Sequence, residues 1–330
     1  MQRRQFAGKT ATLAAATIVA PWASAPARAQ TFPSKPISLL VAFAPGGPAD
    51  IVSRAVAQEA STLLGQPVIV ENRAGANGKI AMQALLRAPR DGHTIAYISP
   101  SIMSIAPLVD KELGFDPLKD ILPLTTSLRG SNVIAIHPSV PARNLRELLA
   151  YAKANPGKLN YGSIGVGSWY HLAMEKVLAA AGVEATHVPY KGEAAALTDL
   201  VAGTLQLMIV SGIGKQFLDE GKIIALASTG ARPAQHFPRA VPLREIGIPA
   251  LADYDETVWI GFGMATGAPP DVVAKIHSAL VRSLQTPEVK QRIAILGAAE
   301  TCTPDELREV IRRELNTNRQ LLESGRVKLT

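Results

Sequence analysis

The residues of this chain best equipped for chemistry sit in two glycine-bearing turns, "FAPGGPADIVSR" (43–54) and "YGSIGVGSWYHL" (161–172). In each, a short apolar run ends, glycines follow and a helical pattern begins. The first N–H groups of a helix have no intrahelical partner, and the helix dipole adds partial positive charge there. Glycines at such a turn let an anion reach those donors without meeting a Cβ. Gly46 and Gly47 serve this role in the first turn, and Gly165 and Gly167 in the second. Pro48 suits a first helical position, where no N–H is needed. One such turn in each half of the chain points to an anion gripped from both sides. Asp50 fits less simply: either it caps its own helix, or it takes a ligand hydroxyl or amine. His171, in the helix that starts at Ser168, either lines the site or packs locally.

Other chemistries fail on spacing. "RAGANGKI" has Gly78-Lys79, but Arg73 stands where a P-loop requires glycine and Ile80 where it requires Ser or Thr. No serine is flanked by glycines two residues to each side, so a nucleophile elbow is missing. His93, His137, His171, His187, His236 and His277 show neither HxH nor HExxH spacing, which argues against a metal site. The one cysteine, Cys302, rules out an intramolecular disulfide and reads as a passive thiol. No nucleophile–base pair is visible, so neither an enzyme nor a cofactor is expected.

The N-terminus sets the compartment. "RRQFAGK" precedes the apolar "ATLAAATIVA", and Ala27-Arg28-Ala29 forms a small-x-small cleavage site before Gln30. Residues 1–29 therefore read as a signal peptide, exported by the twin-arginine route or, if the arginine pair is incidental, by Sec. No later segment is long and apolar enough to anchor the chain, so the mature protein is expected in the periplasm, as a monomer. Residues 1–29 carry four basic residues and no acid, so their loss lowers the net charge from +7 to +3. Scattered charges at that level leave no footprint for nucleic acid.

Short apolar strands alternate with amphipathic helices along the mature chain: a strand over 36–43, a helix closed by Gly65, strands over 67–72 and 93–99. The pattern restarts with strands over 132–137, 158–163, 185–190, 205–210 and 223–229, separated by helices. Such alternation implies parallel sheets covered on both faces. The expected architecture is α/β, two doubly wound lobes forming a hinged clamp of the periplasmic-binding-protein type. Lobe 1 comprises 30–130 plus 254–330 and lobe 2 comprises 131–253, with chain crossings near 129–132 and 245–255. Thr303 and Glu306 are spaced as a capping box for a last helix.

The stretches "FPSKPISLLVAFAPGGPADIVSR", "LGQPVIVENRAGANG", "HPSVPARNLRELLAYAKANPGKLNYGSIGVGS", "HVPYKGEAAALTDLVAG" and "LGAAETCTPDEL" together span Phe32 to about residue 310. Through them the chain resembles the Bug/TctC family, the extracytoplasmic receptors of tripartite tricarboxylate transporters. The resemblance implies two lobes closing on a small carboxylate, held partly by backbone N–H groups. It points to Gly46, Gly47, Ala49 and Asp50 in one lobe and Ser163, Gly165, Gly167, Ser168 and His171 in the other. Membrane permease subunits are the implied partners, with a membrane sensor kinase as the alternative.

Two departures from the family pattern bear on the ligand. Val210-Ser211-Gly212 stands where relatives often carry an acidic or amide residue, which makes Ser211 a candidate contact. Trp169 and Tyr170 replace small polar residues. Either these aromatic rings line the cleft and favour a less polar, aromatic ligand group, or they pack the helix against its lobe.

Overall fold

The computed structural model describes residues 32–329, so the expected leader, with its arginine pair and cleavage site, lies outside the described residues. Among those described, no helix is long and apolar enough to cross a membrane. The first stretch runs β1 (Ile37–Val41), α1 (Pro48–Leu64), β2 (Val68–Asn72), α2 (Lys79–Arg87), β3 (Thr94–Ile98), α3 (Ala106–Val109) and β4 (Ile121–Gly130). The middle stretch runs β5 (Val133–Ile136), α4 (Leu145–Ala154), β6 (Asn160–Ser163), α5 (Trp169–Ala181), β7 (Thr186–Pro189), α6 (Glu193–Ala202), β8 (Leu207–Val210), α7 (Lys215–Asp219), β9 (Ile224–Ser228) and β10 (Val241–Pro242). The chain ends with β11 (Val258–Ala265), α8 (Pro270–Gln285), α9 (Pro287–Ile293), β12 (Ala298–Ala299) and α10 (Pro304–Glu323).

These strands form two six-stranded sheets, ordered β12-β4-β11-β3-β1-β2 and β10-β9-β5-β8-β6-β7. In β1, Ile37, Leu39, Leu40 and Val41 are all buried, the continuous apolar pattern of a strand covered on both faces. β1 pairs in parallel with β2 and β3, and β6 with β7 and β8. The helices between them end where their sequences say they should. Gly65 closes α1 in the left-handed conformation, its N–H donating to the Ser61 carbonyl. Thr303 and Glu306 make the expected reciprocal cap on α10.

The sheets are not purely parallel. β11 runs antiparallel to both β3 and β4, and β5 antiparallel to both β8 and β9. β4 itself is absent from the sequence reading. Pro123 removes a backbone donor, and Thr125-Thr126-Ser127 breaks the apolar run, both signals against a strand. β4 nevertheless pairs with β11 from Ile121↔Ala265 to Gly130↔Val258, and its three hydroxyl residues are buried and bonded internally. The Ser127 hydroxyl donates to the Ile260 carbonyl, and the Thr126 hydroxyl to that of Glu300.

β4 leaves the first sheet at Gly130, and β5 enters the second at Val133. The return connection between the sheets leads into β11. The connections are tied to each other: Thr229 N–H donates to the Asn132 carbonyl at 2.9 Å, and Glu256 N–H to the Thr229 carbonyl at 2.8 Å. Away from these connections the lobes also touch. Ala44 N–H donates to the Lys191 carbonyl at 3.1 Å, Asn77 Nδ2 to the Gly167 carbonyl at 2.9 Å, and Trp169 N–H to Ser101 Oγ at 2.9 Å.

Candidate ligand-binding site

Ligands of open α/β sheets bind beyond the carboxyl ends of parallel strands, and three strand-to-helix turns converge there. The β1–α1 turn brings Gly46 and Gly47, the β6–α5 turn brings Gly165 to Ser168, and the β7–α6 turn brings Gly192. A Cβ added to Gly46 would lie 3.8 Å from the Ala194 Cβ, and one added to Gly47 would lie 3.9 Å from Glu193 N. The N-termini of α1 and α6 therefore face each other across the cleft. Gly46 needs its glycine for another reason, a φ of +86°, which side chains with a Cβ rarely adopt.

Between these turns lies a cavity of about 30 Å³, lined among others by Phe43, Ala49, Tyr97, Ser99, Tyr170 and Glu193. That is space for very few water molecules, so the lobes are closed on each other. Phe43 and Ile164 are shared with a wider mouth of about 720 Å³, bordered by Asn77, Gly165 and Lys191. The first turn of α1 leaves the Ala49 N–H without an intrahelical partner, and that residue lines the cavity. Ser99 Oγ also borders it, buried and without a hydrogen-bond partner among the described residues.

The sequence-predicted residues divide into those at the cleft and those beneath it. Ala49 lines the cavity, Gly165 the mouth, and Gly46 and Gly47 the facing helix ends. Asp50 is buried and bonded inward, accepting from Gly46 N–H at 3.1 Å and from the Arg54 and Asn72 side chains at 3.0 Å. Burial raises its pKa, but those three donors outweigh burial and hold the carboxyl below its usual value. Asp50 is thus the brace of its own turn.

In the second turn, Ser168 caps α5 by accepting from His171 N–H. Gly167 N–H donates to His171 Nδ1 at 3.1 Å, and Gly165 N–H to Ser163 Oγ at 3.1 Å. Ser163 Oγ in turn lies 2.6 Å from His187 Nε2, and the two imidazoles stack with centroids 3.8 Å apart. Burial pushes the His171 pKa down to about 3, helped by His187, and burial alone pushes His187 down to about 4. His171 borders a separate cavity with Glu175 and His187. It therefore shapes the turn from behind rather than lining the cleft cavity. Trp169 is buried in the core, its ring edge-on to Tyr170, and of the two aromatics only Tyr170 lines the cavity.

Sequence reasoning passed over Glu193. It is buried at the start of α6, with Oε1 accepting from Ser211 N–H at 2.6 Å and Oε2 from the Tyr170 hydroxyl at 2.7 Å. Burial holds its pKa above the usual carboxylate range, and those donors offset only part of the rise. Ser211 thus meets the site through its backbone N–H. The missed signal was Gly192 in "HVPYKGEAAAL", a third glycine between a strand and a helix.

Comparison with known proteins gives this geometry a family. Residues 52–324 match the family described as "Tripartite tricarboxylate transporter family receptor". A UPF0065 protein of Bordetella pertussis is 38% identical over 274 residues, covering 82% of this chain and 83% of that protein. Among solved structures, the periplasmic binding protein BugD superposes with a TM-score of 0.84 at 29% identity, over 90% of this chain and 99% of BugD. MatC from Rhodopseudomonas palustris, with bound malate, superposes with a TM-score of 0.81 at 27% identity, over 88% and 99% of the two chains.

Proposed function

The chain belongs to the tripartite tricarboxylate transporter receptor family, solute-binding proteins rather than enzymes, and from that membership we propose that it captures a small carboxylate in the periplasm and presents it to membrane permease subunits. The observation that carries this reading is the meeting of helix N-termini at a cleft cavity whose lining holds no basic side chain. Oriented backbone N–H groups are then the means of holding an anion there. MatC, with bound malate, supports the carboxylate class. Lobe 1 in this reading is residues 30–130 with 254–330, lobe 2 is 131–253, and the first 29 residues direct export.

A calorimetric screen of mono-, di- and tricarboxylates against the mature protein and its Gly47→Val variant tests this. The added methyl groups point toward the N-terminus of α6, where the anion would sit. Losing one charge-assisted hydrogen bond costs roughly 1.5–3 kcal/mol, so the variant should fold normally and bind at least about tenfold more weakly. Unchanged affinity in a folded Gly47→Val protein would remove this turn from the site, and no binding by the parent chain would overturn the carboxylate reading.

A further inference from the structure

The charged side chain in the cavity lining is negative, which is unexpected for a site that holds anions. Glu193 has no ion-pair partner among the described residues. An ionised carboxylate offers about four acceptor positions, and Ser211 N–H and the Tyr170 hydroxyl fill two of them. A buried charge without a counter-ion is costly. The first turn of α6 offsets part of that cost through the helix dipole, and the rest is open to a ligand.

The walls beside this carboxylate are aromatic. Phe43, Tyr97 and Tyr170 line the same cavity, with the Phe43 and Tyr97 rings edge-to-face at 5.8 Å. The negative charge of Glu193 is felt by both tyrosines, whose hydroxyl pKa values rise, first through burial and then through that carboxylate. Aromatic faces beside a carboxylate attract a cation through the ring quadrupole and the charge together. A second ligand carboxylate at this point would instead meet like charge in a dry pocket.

We propose that Glu193, walled by Phe43, Tyr97 and Tyr170, is the specificity-determining residue of the cleft and selects carboxylates that also carry a protonated nitrogen. The inference rests on the carboxylate-capture reading and adds the second functional group of the ligand. The helix N-termini take the carboxylate, and the aromatic-walled carboxylate takes the ammonium.

The test uses matched acids of two to six carbons that differ only at the far end: ω-amino, ω-hydroxy and dicarboxylic. By calorimetry, the best ω-amino acid should bind the mature protein at least about tenfold more tightly than the dicarboxylate of equal length, with the hydroxy acid between them. Glu193→Gln keeps the shape and removes the charge, and should bring the two affinities to within about twofold. Tyr97→Leu removes one aromatic wall without touching the carboxylate and should reduce the preference several-fold. A preference for dicarboxylates in the parent protein would overturn the inference and leave carboxylate capture standing. So would an unchanged ratio in a folded Glu193→Gln or Tyr97→Leu variant. Failure of the parent protein to bind any carboxylate would remove both.

Discussion

Backbone donors that are to hold an anion must themselves be held still. Asp50 and His171 brace the two turns in this way: the Asp50 carboxylate accepts from Gly46 N–H, and His171 Nδ1 accepts from Gly167 N–H. The histidine does so only while neutral, because a protonated Nδ1 would be a donor facing a donor. His171 and His187 both have folded pKa values depressed from 6.5, to about 3 and about 4. The unfolded chain therefore takes up protons below pH 6.5 that the folded chain refuses. Their contribution is fully present above pH 6.5 and is lost progressively as pH falls toward 4. His171→Asn keeps an acceptor near the Nδ1 position and removes one titration. Its melting temperature should fall less between pH 7 and pH 4.5 than that of the parent protein, as followed by circular dichroism. Equal falls in both proteins would place the acid sensitivity elsewhere.

At the scale of elements, caps and turns are where the sequence speaks most directly. Thr303 accepts from Glu306 N–H, and Glu306 accepts from Thr303 N–H; deleting a cap of this kind costs about 1 kcal/mol. Thr303→Ala should therefore lower the unfolding free energy by about that amount in a denaturant titration, with ligand affinity unchanged, since Thr303 lines neither the cleft cavity nor its mouth. The same local logic made α1, α5 and their glycine turns legible, because period, cap and glycine all lie within a few residues of each other. β4 was not legible. Its buried Thr125, Thr126 and Ser127 are satisfied by partners at residues 260 and 300–302, which no local pattern reveals. Glu193 escaped for the converse reason: an acid in the first turn of a helix reads as a dipole-stabilised surface residue. Only the packing of Tyr170 and Ser211 against it turns that acid into a buried group.

At the scale of the whole molecule, the closed arrangement depends on a few polar contacts between lobes that opening must break. Ser101 Oγ accepts from the N–H of Trp169, the first residue of α5, and Asn77 Nδ2 donates to the Gly167 carbonyl two residues earlier. Opening therefore unseats the start of α5 and with it the environment of the Trp169 indole, which packs edge-on against Tyr170. Trp259 is placed differently. It is fully buried in β11, and its indole N–H donates to Glu314 at 2.8 Å, a contact made within the C-terminal part of the chain. A ligand that stabilises the closed state shifts the population toward it, so ligand titration should change the intrinsic fluorescence chiefly through Trp169. Trp169→Phe should abolish most of that change, and Trp259→Phe should preserve it. Loss of the signal in Trp259→Phe alone would locate the ligand-linked movement at the strand pair joining the lobes rather than at the α5 turn.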